Sequence, residues 1–102
     1  MTTINPVIMT AQVYQPGNYT LCKGRGALLG YRVGHNRDRI QTIYIKDGSK
    51  LLVTLMIPKN YPMLIVNLTR LPGREEGIPF ETSLGVKLEE ECELEVVFML
   101  DG

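Results

Sequence analysis

Cys92-Glu93-Leu94-Glu95-Val96-Val97-Phe98-Met99-Leu100 is the stretch from which the rest of the chain is best read. A period of two places Cys92, Leu94, Val96, Phe98 and Leu100 on one face of a strand. That face is apolar at every position, so it is the expected centre of the core. The alternate face begins with Glu93 and Glu95 and turns apolar at Val97 and Met99. Cover on both sides near the end of the strand follows, supplied either by another element of this chain or by a neighbouring subunit. Just upstream, Pro79-Phe80 leads into Leu84-Gly85-Val86-Lys87-Leu88, a second strand, and Glu89-Glu90-Glu91 forms an acidic turn between the two.

The clearest hairpin lies over residues 39–56. Arg39-Ile40-Gln41-Thr42-Ile43-Tyr44-Ile45 is rich in β-branched residues, Asp47-Gly48 is a strong short-turn signal, and Leu51-Leu52-Val53-Thr54-Leu55-Met56 returns as the partner. Before it, residues 18–23 and 27–33 read as strands separated by Lys23-Gly24-Arg25-Gly26. In the second of these, Leu29, Tyr31 and Val33 are expected on one face and Leu28, Gly30 and Arg32 on the other. Gly30 in mid-strand predicts a bulge or a close backbone approach. Gly34 to Asp38 reads as a polar loop. Tyr61 to Leu68 reads as a further strand with Pro62 at its start or at a sheet edge, and residues 71–79 as a long turn-rich loop. Residues 1–17 read as an extended N-terminal arm, with Pro6 and Pro16 bracketing a strand-like run, able to pair with its own sheet or to add a strand to another subunit. No window shows sustained helical spacing. The expected fold is all-β: an antiparallel β-sandwich or jelly-roll-like barrel of about seven or eight short strands, with the arm at 1–17 and a single sandwich domain at 18–102.

The 102 residues are 44% hydrophobic and 22% charged, which suits one globular domain and argues against disorder. No apolar run approaches the ~20 residues needed to cross a bilayer as a helix. Met1 to Pro6 lacks the features of a secretory leader, so synthesis in a cytoplasm is expected. Cys22 and Cys92 are the two cysteines, and buried free thiols are expected of them. Net charge is zero, but residues 1–51 carry +5 and residues 52–102 carry −5. Either basic and acidic strands meet inside one sheet, or a basic face on one subunit meets an acidic face on the next. A nucleic-acid partner would need basic surface without that counterweight and is not expected.

Chemistry is hard to place on this sequence. One histidine and two distant cysteines do not make a soft-donor metal site, and the acidic run at 89–95 reads as a solvated turn in preference to a calcium site. His35 reads as an exposed loop histidine with no evident nucleophile beside it. Gly24-Arg25-Gly26-Ala27-Leu28-Leu29-Gly30 resembles a phosphate loop only superficially, because no helix follows and the glycine spacing departs from the dinucleotide pattern. Glu75 and Glu76 read as loop solvation. Asn18-Tyr19-Thr20 and Asn67-Leu68-Thr69 match a glycosylation sequon, which carries little meaning without a secretory leader. No catalytic, cofactor-binding or metal-ligating residue is therefore expected, and no cofactor.

From Gly26 to Phe98 the chain shows Gly-Ala-Leu-Leu-Gly-Tyr-Arg-Val (26–33), Ile-Tyr-Ile-Lys-Asp-Gly (43–48), Pro-Phe (79–80), Leu-Gly-Val-Lys-Leu (84–88) and Leu-Glu-Val-Val-Phe (94–98). This pattern resembles small β-sandwich structural proteins of tailed-bacteriophage virions, although Ile-Lys between Tyr44 and Asp47 and the charged loop at 73–76 depart from it. The resemblance implies a non-enzymatic capsid decoration (cement) protein on the capsid surface of the virion, made in the host cytoplasm. Its partners would be the major capsid protein and itself, as a homotrimer, with neither nucleic acid nor membrane. Pro6, Val7, Ile8, Met9, Val13 and Tyr14 of the arm, and Val97 and Met99 of the last strand, are the expected capsid or subunit contacts. Deleting residues 1–17 is expected to leave the sandwich folded. A tail or baseplate module, and a carbohydrate- or protein-binding sandwich using Tyr14, Tyr19 and Tyr61, are the alternatives.

Overall fold

The strands predicted from the period-two runs all form in the computed structural model, which describes residues 7–70 and 77–101. The described residues form nine: β1 (Val7–Val13), β2 (Gly17–Lys23), β3 (Gly26–Gly34), β4 (Gln41–Asp47), β5 (Lys50–Ile57), β6 (Leu64–Asn67), β7 (Ile78–Phe80), β8 (Ser83–Leu88) and β9 (Glu93–Leu100). They make two antiparallel sheets. One runs β1-β9-β3-β6 with β7 also on β3, and the other runs β2-β8-β4-β5. With β6 and β7 taken as successive partners along one edge of β3, this interleaved order is that of a jelly roll. The two strands of the 79–100 stretch, β8 and β9, each sit inside a sheet with a neighbour on both sides.

The inward faces follow the alternation. Leu94, Val96 and Phe98 of β9 meet Leu28, Tyr31 and Val33 of β3 in one layer, and Ile43, Ile45, Leu55, Ile57, Leu84, Val86 and Leu88 supply the other; all are buried in one cluster. Burying each such side chain stabilises the fold by roughly 1.5–3 kcal/mol.

In β3 the expected facing of Leu29 is corrected. The register against β9 shifts between Leu28 and Gly30, so Leu29 is a bulge and Leu28 turns into the core in its place. The bulge falls where the partner on the other edge of β3 changes from β7, paired at Gly26–Leu28, to β6, paired at Gly30–Val33. The close approach predicted at Gly30 is present: a Cβ there would lie 2.6 Å from the Val66 carbonyl oxygen.

Of the segment expected to be an arm, Val7–Val13 pairs residue for residue with β9, from Val7 opposite Leu100 to Val13 opposite Leu94. It is thus a strand of the sandwich, the first of the two pairings open to the arm, and residues before Asn18 belong to the sheet. Residues 1–6 lie outside the described residues. Deleting residues 1–17 would remove an edge strand, so the expectation that the fold survives this truncation is withdrawn. The strand expected over 61–68 is confined to Leu64–Asn67, because Pro62 precedes it and a short 3-10 turn, Leu68–Arg70, follows. That turn is capped by Asn67, whose Oδ1 accepts the Thr69 N–H at 3.0 Å.

Asp47 ties the two layers of turns together. Its carboxylate accepts the backbone N–H groups of Glu81 (2.8 Å), Thr82 (2.8 Å) and Ser83 (3.2 Å), while Ser83 Oγ accepts the Gly48 N–H at 3.1 Å. The turn of the β4–β5 hairpin and the turn between β7 and β8 thereby fix one another.

Candidate functional site

Two surfaces are candidates: the outward face of the β1-β9-β3-β6 sheet and the loop end of the sandwich.

On the outward face, Val97 lies between Thr10 of β1 and Gly30 of β3, and Met99 lies between Ile8 and Ala27. Val97 and Met99 are half-buried, and Ile8 is 67% exposed. Ile65, on β6 at the opposite edge, is 65% exposed. Glu95 and Arg32 interrupt the apolar character in the middle of the face, with Arg32 Nη1 3.8 Å from Glu95 Oε1. β1 contains neither charge nor proline, the devices that usually protect a sheet edge.

The expected contact residues are distributed as follows. Ile8, Val97 and Met99 share the outward face. Met9 is opposite Phe98, on the core-facing side of β1, yet exposed at the rim. Val13 is corrected: it is 5% exposed and belongs to the core, because it pairs with Leu94 under the cover of the second sheet. Tyr14 lies apart from the others, at the loop end. Val7 is in β1, and Pro6 lies outside the described residues.

The loop end is built by three connections, 35–40, 58–63 and 89–92, together with Tyr14. The His35 N–H donates to Tyr61 O at 2.9 Å and the Asn60 N–H to Arg37 O at 2.8 Å, so the first two loops are laced backbone to backbone. Gly34 permits this, since a Cβ there would collide with the Pro62 carbonyl oxygen. His35 is not the exposed loop histidine expected. It is 8% exposed, its Nδ1 accepts the Arg37 N–H at 3.1 Å, and its Nε2 is 2.7 Å from Pro58 O. With Nδ1 accepting, Nε2 carries the proton and donates, so both ring nitrogens are used in holding the loops. No sequence signal marked this; the residue's polar neighbours suggested solvent.

These loops enclose a cleft of about 520 Å³, lined by Tyr14, His35, Asn36, Arg37, Asn60, Glu91, Cys92 and Glu93 among others. A smaller hollow of about 240 Å³, lined in part by Gln12, Tyr14, Arg32, Met63 and Glu93, adjoins it across Tyr14 and Glu93. Tyr14 is 46% exposed. Its hydroxyl donates to Gln12 Oε1 at 2.7 Å, and Gln12 Nε2 donates to Glu95 Oε2 at 3.1 Å. Arg37 Nε donates to Glu91 O at 3.1 Å and lies 3.6 Å from Glu90 Oε2. Glu90 is also bound by Arg39 (Nη2 to Oε1, 2.8 Å) and Gln41 (Nε2 to Oε2, 3.3 Å). The Arg39 hydrogen bond, more than any other contact, holds its carboxyl below the usual range.

Burial pushes the Cys92 thiol up to about 11, so the sulfur at the floor of the cleft is a thiol at neutral pH and a poor nucleophile. Cys22 is half-buried and raised by burial too. Among the described residues no group of three His, Cys, Asp or Glu is placed to hold a metal ion. Tyr19, expected as an exposed groove residue, is half-buried, and its hydroxyl donates to Gln15 O at 2.7 Å, a structural contact. Tyr61 is exposed beside the loop end. Glu75 and Glu76 lie outside the described residues.

Part of the charge asymmetry is met within the chain. Arg25 lies 3.4 Å from Glu81 and 3.9 Å from Asp101, Arg32 pairs with Glu95, and Arg37 and Arg39 pair with Glu90. Each pair joins a basic residue of the first half to an acidic residue of the second.

No family model, curated protein or solved structure matches the chain.

Proposed function

We propose that the chain works by surface and not by chemistry, as a non-enzymatic capsid decoration protein of a tailed bacteriophage that assembles as a homotrimer on the major capsid protein. The observation that carries this reading is the apolar strip of Ile8, Val97 and Met99 on the outward face, next to the unguarded edge of β1. A sandwich sheet needs one apolar face, and its other face is ordinarily solvated. A second apolar strip at an edge that is unpaired among the described residues is what a strand- and face-binding partner would cover. The jelly-roll order recurs in viral capsid proteins, but one fold hosts many functions, so the strip and the sequence resemblance support the reading and the topology adds little. Three copies related by a closing rotation would satisfy the strip without a fourth partner.

The test has two parts. Light scattering after size exclusion is expected to give about three times the 11.5 kDa chain mass. Co-sedimentation with capsids of the phage that encodes the chain is expected to retain the wild type and to release Ile8→Lys, which changes an exposed side chain and leaves the core intact. A wild-type monomer that stays in the supernatant would refute the reading. Sedimentation with isolated tails in place of capsids would move it to the tail.

A further inference from the structure

We propose that the loop-end cleft is a binding site for a neutral saccharide of one or two units, with the Tyr14 ring as its stacking platform. This inference stands apart from the capsid reading, since it uses a different surface.

The first argument is the state of Tyr14. An exposed tyrosine on a loop ordinarily samples several rotamers, and ordering one on binding costs about 0.5–1.5 kcal/mol. Here the hydroxyl is tethered to Gln12, and Gln12 to Glu95, which lies against Arg32. This chain of contacts holds the ring in place before any ligand arrives, while almost half of the residue stays accessible. A tethered aromatic side chain, half-exposed as a residue, at the junction of two hollows is suited to a flat, amphipathic ligand whose C–H face packs on the π surface.

The second argument is charge. Arg37, Glu91 and Glu93 line the main hollow, and Arg37 is already engaged by Glu91 O and Glu90. One arginine against two glutamates leaves the lining with an excess of negative formal charge, which disfavours phosphates, nucleotides and acidic sugars. Asn36 contributes an amide that donates and accepts, Asn60 a second whose Nδ2 also reaches Asp38 Oδ1 at 3.5 Å, and the two glutamates contribute acceptors. A mixed set of that kind matches hydroxyl groups, each both a donor and an acceptor. The volume of about 520 Å³ lies within the range of about 300–1,000 Å³ common to small-ligand sites.

The experiment is an amide NMR titration of the full chain with glucose, galactose, N-acetylglucosamine, maltose and lactose, with glucose 6-phosphate and tetramethylammonium as the anionic and cationic probes. The expected result is a saturable shift of the amides of Tyr14, Asn36, Asn60 and Glu93 by at least one neutral sugar. Tyr14→Ala is expected to weaken that binding about tenfold or more, equivalent to about 1.4 kcal/mol, and Tyr14→Phe to retain most of it. Asn36→Ala, on an exposed loop residue, provides the second variant if Tyr14→Ala disturbs the fold, with a several-fold loss expected. No shift with any neutral sugar at tens of millimolar overturns the proposal. So do tighter binding of either charged probe, shifts confined to another surface, or variants that bind as the wild type does.

Discussion

Gly34 shows how much a single residue decides at the loop end. Its Cα faces the Pro62 carbonyl, and the flanking hydrogen bonds between the 35–37 and 60–61 backbones leave neither loop free to retreat. Gly34→Ala is therefore expected to lower stability by about 1–3 kcal/mol, the usual range for overpacking, seen as a lower urea midpoint with an unchanged slope. Asp47 acts through hydrogen bonds instead. The N–H of Glu81, and then that of Thr82, hold its carboxyl below the usual range. A depressed folded-state pKa means that the unfolded chain binds the proton more readily, so this stabilisation is fully present above the unfolded value of about 3.9. It is lost as pH falls through the folded value. Glu90 adds to the same window through Arg39. Asp47→Asn is expected to lower the thermal midpoint at pH 7 and to flatten its decline below pH 4; equal acid sensitivity in the variant and the wild type would remove Asp47 from this role. Neither device was legible in the sequence. Gly34 and His35 read as an ordinary polar loop, and Asp47 as a turn former, because their partners lie roughly 25 to 35 residues away and residue type alone does not name a distant acceptor.

Among the elements, β9 was the most legible and β7 the least. The alternation of β9 predicts its buried set from Cys92 through Phe98, because both neighbours, β1 and β3, keep its inward face continuous. Ile78–Phe80 gives no strand signal, since three residues with a central proline carry no period and the preceding segment reads as loop. It becomes a strand only because the β3 edge beside Gly26–Leu28 is vacant beyond the end of β6. The facing of β3 was legible at Tyr31 and Val33 and misread at Leu29, because a bulge inverts the alternation on one side of it. The alternation of β9 also gives a sharp contrast between neighbours. Phe98→Ala, at a fully buried position, is expected to cost about 3–5 kcal/mol. Val97→Thr, on the outward face, is expected to change the unfolding free energy of the single chain by no more than about 0.5 kcal/mol, yet to weaken capsid association under the proposed function. Comparable losses of stability at both positions in a monomeric sample would show that the outward strip is buried by the chain itself.

Over the whole molecule, the topology brings part of the separated charge together. The jelly roll brings β9 back beside β3, and the 89–91 turn beside the loop after β3, so Arg32 and Arg39 of the first half meet Glu95 and Glu90 of the second inside one chain. The asymmetry was legible; which charges the fold would bring together was not, since strand order is not written in strand pattern. The same topology changes what a truncation tests. β1 was read as an arm because its alternation is irregular and prolines bracket it, but its seven residues cover one edge of β9 from Leu94 to Leu100. Removing residues 1–13 would take Val13 from the core and leave the central strand of the sheet as an open, apolar edge. The expected outcome is a loss of at least about 2 kcal/mol, the worth of one buried valine, together with concentration-dependent association through the bared β9 edge. Denaturant unfolding and light scattering over a dilution series read the two effects separately. A truncated protein as stable and as soluble as the full chain would mean that β1 contributes little to the fold and is free to engage a partner. Unchanged stability with lost capsid binding is therefore the result that would restore the arm, and lost stability makes Ile8→Lys the cleaner probe of the surface.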